Sequence, residues 1–285
     1  MHLFGEKKII ADHGHQELIG LEQQERLVDA FCKFVWSDKW SEQSKALHFM
    51  PTILLYGPPG TGKTTLLSNL AAELEANSSK YYRESLDLLV NKDLGETSKA
   101  IKSLFDELKE QASCGKKVFL QIDDVDSLLS SRYLSNESSG VRRGVNTFLS
   151  QLDELLLESY DFMPIIAATT NMLSHLDSAV KRRFSLKVEV NPVLNAKEIE
   201  ALISPMLDII SKELTIDFQE VESLVHENTL TPNDLILVMQ RFFLQDLIGN
   251  RFCEKDVLEG LRSTESSSST FEQQRKSFSS LNKED

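Results

Sequence analysis

Apolar residues along this chain follow two rhythms, and the change from one to the other marks out its parts. Ile53 to Tyr56, Val118 to Asp124, Pro164 to Asn171 and Leu186 to Val190 have the length and largely apolar composition of buried strands, the second and third ending in polar residues, and Lys80 to Ser85 reads as a further short strand. Between them, apolar residues recur at helical spacing: Leu27, Val28, Phe31 and Phe34; Leu66, Leu67 and Leu70; Ile101, Leu104, Phe105 and Leu108; and Val145, Phe148, Leu149, Leu152, Leu155 and Leu156. Trp36 and Trp40 follow the first helix and read as core residues. Strands alternating with helices predict an α/β fold around a parallel sheet.

Pro192 ends this alternation. Beyond it the pattern is helical only: Ala196 to Ser211, Phe218 to His226, Thr231 to Ile248 and Lys255 to Leu261. Thr231-Pro232-Asn233-Asp234 is a strong helix start, with a capping hydroxyl, proline in the first turn and an acid close behind. From Ser263 the serine run and the Gln and Lys content cannot bury a core, which predicts a disordered tail. The expected organisation is an arm over residues 1–17, a large α/β domain over 18–191, a small all-helical domain over 192–262 and the tail over 263–285.

The chemistry is concentrated where the first strand meets its helix. Gly57-Pro58-Pro59-Gly60-Thr61-Gly62-Lys63-Thr64-Thr65 is a phosphate cradle. Glycines let successive N–H groups point at phosphate oxygens, the N-terminus of the next helix faces the same anion, Lys63 reaches the β and γ phosphates, and the Thr64 hydroxyl suits Mg²⁺. Val118 to Asp124 is apolar until it ends in two carboxylates. In an open parallel sheet, ligands bind beyond the carboxyl ends of the strands, so Asp123 is the candidate acid for a nucleotide-bound metal.

Composition narrows the function classes. A formal net charge of −13 argues against a phosphate-backbone partner. Cys32, Cys114 and Cys253 lie far apart without metal-like spacing, as expected of unpaired thiols in a reducing compartment, and the six histidines show no His-Glu-x-x-His spacing. No apolar run approaches the roughly 18 residues of a membrane span, and the N-terminal residues lack the basic and apolar regions of a signal peptide. These features predict a soluble, cytoplasmic protein without membrane contact.

Over about Leu18 to Leu261, the order and spacing of these motifs resembles the AAA branch of the AAA+ P-loop ATPases, most closely compact remodellers such as katanin and spastin. The resemblance implies that Ile19 and Gly20 line an adenine pocket and that Asn171 orients the attacking water. It also implies that Arg182 and Arg183 are fingers reaching a neighbouring subunit's nucleotide, and that Arg142 and Arg143 face the subunit boundary and pore. The implied protein is an Mg-ATP-hydrolysing hexameric ring acting on a protein partner; remodellers of HORMA-domain proteins are compact members of this kind. With fewer than about 20 residues ahead of the ATPase core, substrate selection is expected to fall to the arm, the pore face or an adaptor.

Three positions depart from the family's pattern. Asp124 stands where a water-activating Glu is usual, one methylene shorter. Asp93, in Leu89 to Glu96, replaces the aromatic of the first pore loop. Leu230 to Asp234 offers no arginine to contact phosphate. These departures keep a second reading open, a nucleotide-gated binding module with slow hydrolysis, while a nucleic-acid-handling AAA+ protein fits the acidic composition poorly.

Overall fold

The computed structural model describes residues 17–76, 79–85, 96–126, 139–210, 214–269 and 271. The chain divides into two compact units, one built from Gln23–Tyr56 and Lys63–Glu189, the other from Glu17–Glu22, Gly57–Gly62 and Val190–Asp285. The phosphate cradle and the segment before the first helix thus belong with the helical part of the chain, although sequence continuity joins the cradle directly to a strand and helix of the α/β unit.

The first unit contains α1 (Glu22–Val35), α2 (Trp40–Leu47), β1 (Thr52–Tyr56), α3 (Lys63–Ala76), β2 (Lys80–Ser85), α4 (Glu96–Ser113), β3 (Val118–Asp123), α5 (Ser139–Leu157), β4 (Ile165–Thr170), α6 (Ser178–Arg182) and β5 (Leu186–Glu189). The strands pair in parallel, in the order β2-β3-β4-β1-β5. The chain leaves β1 for the far edge at β2, and β3 and β4 then fill the gap, which sets the carboxyl ends of β3, β4 and β1 side by side. Every residue of β3 and β4 is buried, the polar Gln121, Asp123, Thr169 and Thr170 included.

One face of the sheet is covered by α4 and α5, whose Ile101, Leu104, Phe105, Leu108, Phe148 and Leu152 pack with Leu54, Leu120 and Ile122. Phe105 and Phe148 meet edge to face with ring centroids 5.7 Å apart. In α1 the buried stripe is Val28, Phe31, Cys32 and Val35, while Leu27 is exposed. Trp40 is a core residue packed edge-on to Phe31 and Phe34. The Trp36 indole N–H donates to the Met163 carbonyl at 2.9 Å, tying the end of α1 to the approach of β4.

The second unit is helical: α7 (Ala196–Ile210), α8 (Phe218–Asn228), α9 (Pro232–Leu247) and α10 (Glu254–Arg262). Ile199, Ile203, Leu207, Val221, Leu235, Met239, Val257 and Leu261 form its core. The expected start of α9 is present as a full capping box. Thr231 accepts from the Asp234 N–H, and the Asp234 carboxylate accepts from the Thr231 N–H.

By composition Asn136 to Gly140 predicts a polar loop, yet Ser139 and Gly140 already belong to α5. The serine run does not lie in a tail without structure: residues 266–268 are hydrogen-bonded to Thr229 and Asp234. Composition misses this because small hydroxyl side chains bury little apolar area yet satisfy buried polar groups well. The sequence from Val125 to Tyr133 predicts a further helix, and residues 127–133 of it lie outside the described residues.

The packing of Phe105 on Phe148 should carry much of the α4 and α5 interface. Phe148→Ala is expected to cost about 3–5 kcal/mol of unfolding free energy, measured by urea denaturation with the m-value unchanged; a loss below about 1 kcal/mol would contradict this packing account.

Candidate nucleotide site

The phosphate cradle is a loop in which glycine is required by its surroundings. A Cβ on Gly57 would lie 2.2 Å from the Val190 carbonyl oxygen. Gly60, at φ +75°, would place a Cβ 2.6 Å from the Asn233 Cβ, and its carbonyl accepts the Asn233 N–H at 3.3 Å. Thr61 is buried and its hydroxyl donates to the Pro58 carbonyl at 2.9 Å, closing the loop on itself. Pro58 is buried and Pro59 exposed, and Gly62 lies against Leu18. Ile19 packs on the helical core and Gly20 lies against Pro192 and Leu194.

The loop delivers Lys63, Thr64 and Thr65 as the first turn of α3. Lys63 is 5% exposed, and burial pulls its ammonium down from the ordinary 10.5 to about 8, against the opposing pull of Asp124 and Asp126. Thr64 Oγ1 lies 3.2 Å from Asp123 Oδ1, so the hydroxyl of α3 and the carboxylate ending β3 converge as the sequence predicts.

Asp123 sits in a ring of donors. Thr169 Oγ1 donates to Oδ1 at 3.3 Å, Gln121 Nε2 reaches Oδ1 and Oδ2 at 3.0 and 3.2 Å, and Arg83 Nε pairs with Oδ2 at 2.7 Å. Gln121 is fixed in turn by the Tyr81 hydroxyl at 2.8 Å. Arg83, Gln121 and Thr169 escape a reading by motif. The signal that could have found them is polar residues inside otherwise apolar strands, with Arg83 and Gln121 at matched positions of the β2 and β3 pairing.

Asp124 follows with φ +50°, a left-handed backbone that Asp tolerates better than most residues. Its N–H donates to Thr169 Oγ1 at 3.1 Å, and Asn171 Nδ2 donates to its Oδ1 at 3.2 Å. The structure therefore brings Asp124 and Asn171 together, beside Asp123. Asp126 accepts from Thr170 Oγ1 at 2.8 Å, which steadies the end of β4 before Asn171.

The two arginines after Lys181 differ. Arg182 is exposed. Arg183 is held within its own chain, its Nε and Nη2 gripping Asp153 at 2.7 and 2.6 Å and its Nη1 donating to the Ala179 carbonyl at 3.0 Å. The Arg183 guanidinium keeps the Asp153 carboxyl below the usual range. Arg142 and Arg143 lie on α5, with Arg143 exposed; Asp93 lies outside the described residues.

Thr64 and Asp123 supply two hard oxygen donors within hydrogen-bonding distance of each other, which suits Mg²⁺, an ion that takes one or two protein oxygens and completes its shell with phosphates and water. Among the described residues no group of three or more His, Cys, Asp or Glu could hold a metal by itself.

Residues 53–192 match the profile of the ATPase family associated with various cellular activities (AAA). The chain carries an AAA ATPase domain. It is 37% identical over 170 residues to Vacuolar protein sorting-associated protein 4B of Mus musculus, covering 59% of this chain and 36% of that protein. It is 36% identical over 142 residues to an AAA ATPase forming ring-shaped complexes of Bifidobacterium animalis subsp. lactis (strain AD011), over 49% of this chain and 27% of that one. The chain thus spans well under half the length of these relatives. In fold it is similar to a chain of the E. coli MS115-1 HORMA:CdnC:Trip13 complex, with a TM-score of 0.71 at 21% identity over 87% of this chain and 90% of that one. It also matches the FIGL-1 AAA domain in complex with ADP, with a TM-score of 0.70 at 20% identity over 99% and 92%.

The depressed Lys63 ammonium gives a pH signature. Between about pH 8 and 10.5 the unfolded chain holds a proton that the folded chain has lost, so this group's contribution to stability rises with pH across that window. Binding of a polyanion restores the charge. Above pH 8, nucleotide binding should therefore take up close to one proton, read by calorimetry in two buffers of different ionisation heat, and Lys63→Met should abolish the uptake.

Proposed function

We propose that the chain is an Mg-ATP-hydrolysing AAA ATPase that assembles as a ring and remodels or disassembles a protein partner. The observation that carries this reading is the convergence of Thr64 on Asp123, with Asp124 and Asn171 paired beside them. Lys63 and the N-terminus of α3 meet the phosphate charge, and Mg²⁺ bound with ATP would neutralise the phosphate oxygens. Asp124 is the base candidate for the attacking water, and Asn171, donating to it, sets its orientation. Ile19 and Gly20 stand in the segment expected to meet the adenine.

Catalysis of this kind is mostly positioning and charge stabilisation, so a finger from a neighbouring subunit matters greatly. Arg182 is the better placed of the two candidates, since Arg183 would first have to surrender Asp153. The ring relative from Bifidobacterium supports assembly, and a hexamer is the expected state. A HORMA-domain protein is the first partner to test, on the composition of the complex that shares this fold; an adaptor is the alternative. The three unpaired cysteines support a reducing, cytoplasmic setting. Among the described residues no helix is long and apolar enough to cross a membrane. Net charge supports a protein rather than a nucleic acid as substrate.

One observation favours the second reading, a nucleotide-gated module with slow turnover. Asp124 is short, and its left-handed backbone aims it differently from a regular strand end. The two readings separate in steady-state ATPase assays against protein concentration. The remodeller reading predicts turnover that rises steeply as rings form, and turnover near zero in the presence of visible rings contradicts it. Arg182→Ala should retain nucleotide binding and lose about 10³-fold in assembly-stimulated rate, whereas Arg183→Ala should mainly lower stability. Asp124→Glu should raise the rate if carboxylate reach limits the chemistry; an unchanged or lower rate shows that it does not.

A further inference from the structure

Residues 266–268 grip both sides of the turn that joins α8 to α9. The Ser266 and Ser268 hydroxyls each donate to the Thr229 carbonyl at 2.6 Å, and the Ser268 N–H donates to Ser266 Oγ at 3.0 Å. Ser267 turns the other way. Its N–H donates to Asp234 Oδ2 at 3.2 Å and its hydroxyl to Asp234 Oδ1. Asp234 is 2% exposed, and its Oδ2 also accepts the N–H and hydroxyl of Thr231 at 2.8 and 2.9 Å. A carboxylate buried to this degree depends on its donors, and those supplied by Thr231 and Ser267 are all neutral.

The turn fixed in this way is the one that meets the phosphate cradle. Thr229 holds a left-handed φ of 51°, unusual for a β-branched residue, and its carbonyl is the one pinned by two serines. Thr231, clamped by Asp234, presents its Oγ1 at 3.1 Å from where a Gly60 Cβ would stand, and Asn233 donates its N–H to the Gly60 carbonyl. Ser267, Asp234 and Thr231 are therefore hydrogen-bonded in series, and the helix start they fix reaches the cradle through the Asn233 N–H on the Gly60 carbonyl, with no long flexible side chain in the series to absorb a displacement.

We propose that Ser267 is a positioning residue for nucleotide binding, holding the phosphate cradle at Gly60 in shape through Asp234 and Thr231. Its hydroxyl saturates Oδ1 of Asp234; without it the carboxylate turns or draws in water, and the helix start it caps shifts against the cradle. Negative charge at residue 267 has a larger effect, because it faces a buried carboxylate. The inference rests on the reading of the cradle as a nucleotide site.

The test titrates the full chain with a fluorescent ADP analogue in Mg²⁺, alongside thermal unfolding without nucleotide. Wild type and Lys63→Ala are the reference pair. Ser267→Ala is expected to weaken binding about tenfold, the order of one hydrogen bond to a charged group, and Ser267→Asp by more. Ser267→Thr, which keeps the hydroxyl, should restore affinity to within about twofold of wild type. If Ser267→Ala does not fold, Ser267→Cys, whose thiol is a far weaker donor to Asp234 Oδ1, should still weaken binding. Folded Ser267→Ala and Ser267→Asp proteins that bind like wild type overturn the inference. So does a drop in melting temperature with affinity intact, or a threonine variant as weak as alanine. Wild type that binds no better than Lys63→Ala defeats the nucleotide reading itself, a separate and distinguishable outcome.

Discussion

The site depends on one constraint: a hydroxyl at the start of a helix and a carboxylate at the end of a strand must be held together although 59 residues separate them. Parallel pairing of β3 with β4 and of β4 with β1 does the coarse work, because it puts the three carboxyl ends on one edge. The finer work falls to donors around Asp123. Thr169 from β4 and Arg83 from β2 approach from the two strands flanking β3, and Gln121 comes from β3 itself. The carboxylate is thus oriented from both sides by protein donors, and such preorganisation is what phosphoryl-transfer sites require. Arg83 also places a positive charge on Oδ2, leaving Oδ1 as the oxygen turned toward Thr64.

The helical unit contributes in a different way. Its interior is an ordinary helix-on-helix core, but its polar features gather at the α8 to α9 turn. There a capping box and a short serine segment share a single buried carboxylate, and two of the serines also hold the carbonyl of the left-handed Thr229. Because Gly57–Gly62 belong to this unit, the conformation of the cradle is coupled to the packing of residues far along the chain.

Much of this is legible in sequence where chemistry restricts residue identity. A phosphate cradle admits few side chains, so Gly57 to Thr64 stand out in sequence as one loop leading into the first turn of a helix. Asp123 is legible because a carboxylate ending an apolar run has a place only at the edge of a parallel sheet. The helix start at Thr231 is legible because capping is local. What stays hidden depends on partners distant in the chain. The pairing of Arg183 with Asp153 sets the two arginines apart, and nothing within a few residues of either announces it. Arg83 reads as one more residue of a short strand until the register with Gln121 and Asp123 is known. The serine run misleads because composition measures apolar burial and is blind to a few hydroxyls that complete a buried hydrogen-bond network.

The central claim is that Thr64 and Asp123 together form the cation-dependent part of a nucleotide site, and it is tested most directly by measuring ADP affinity with and without Mg²⁺ in wild type, Thr64→Ala and Asp123→Asn. The account predicts that wild type binds more tightly with Mg²⁺, and that both variants keep the metal-free affinity while losing most of the gain. A gain that survives intact in both variants, or a wild type indifferent to Mg²⁺, would contradict it.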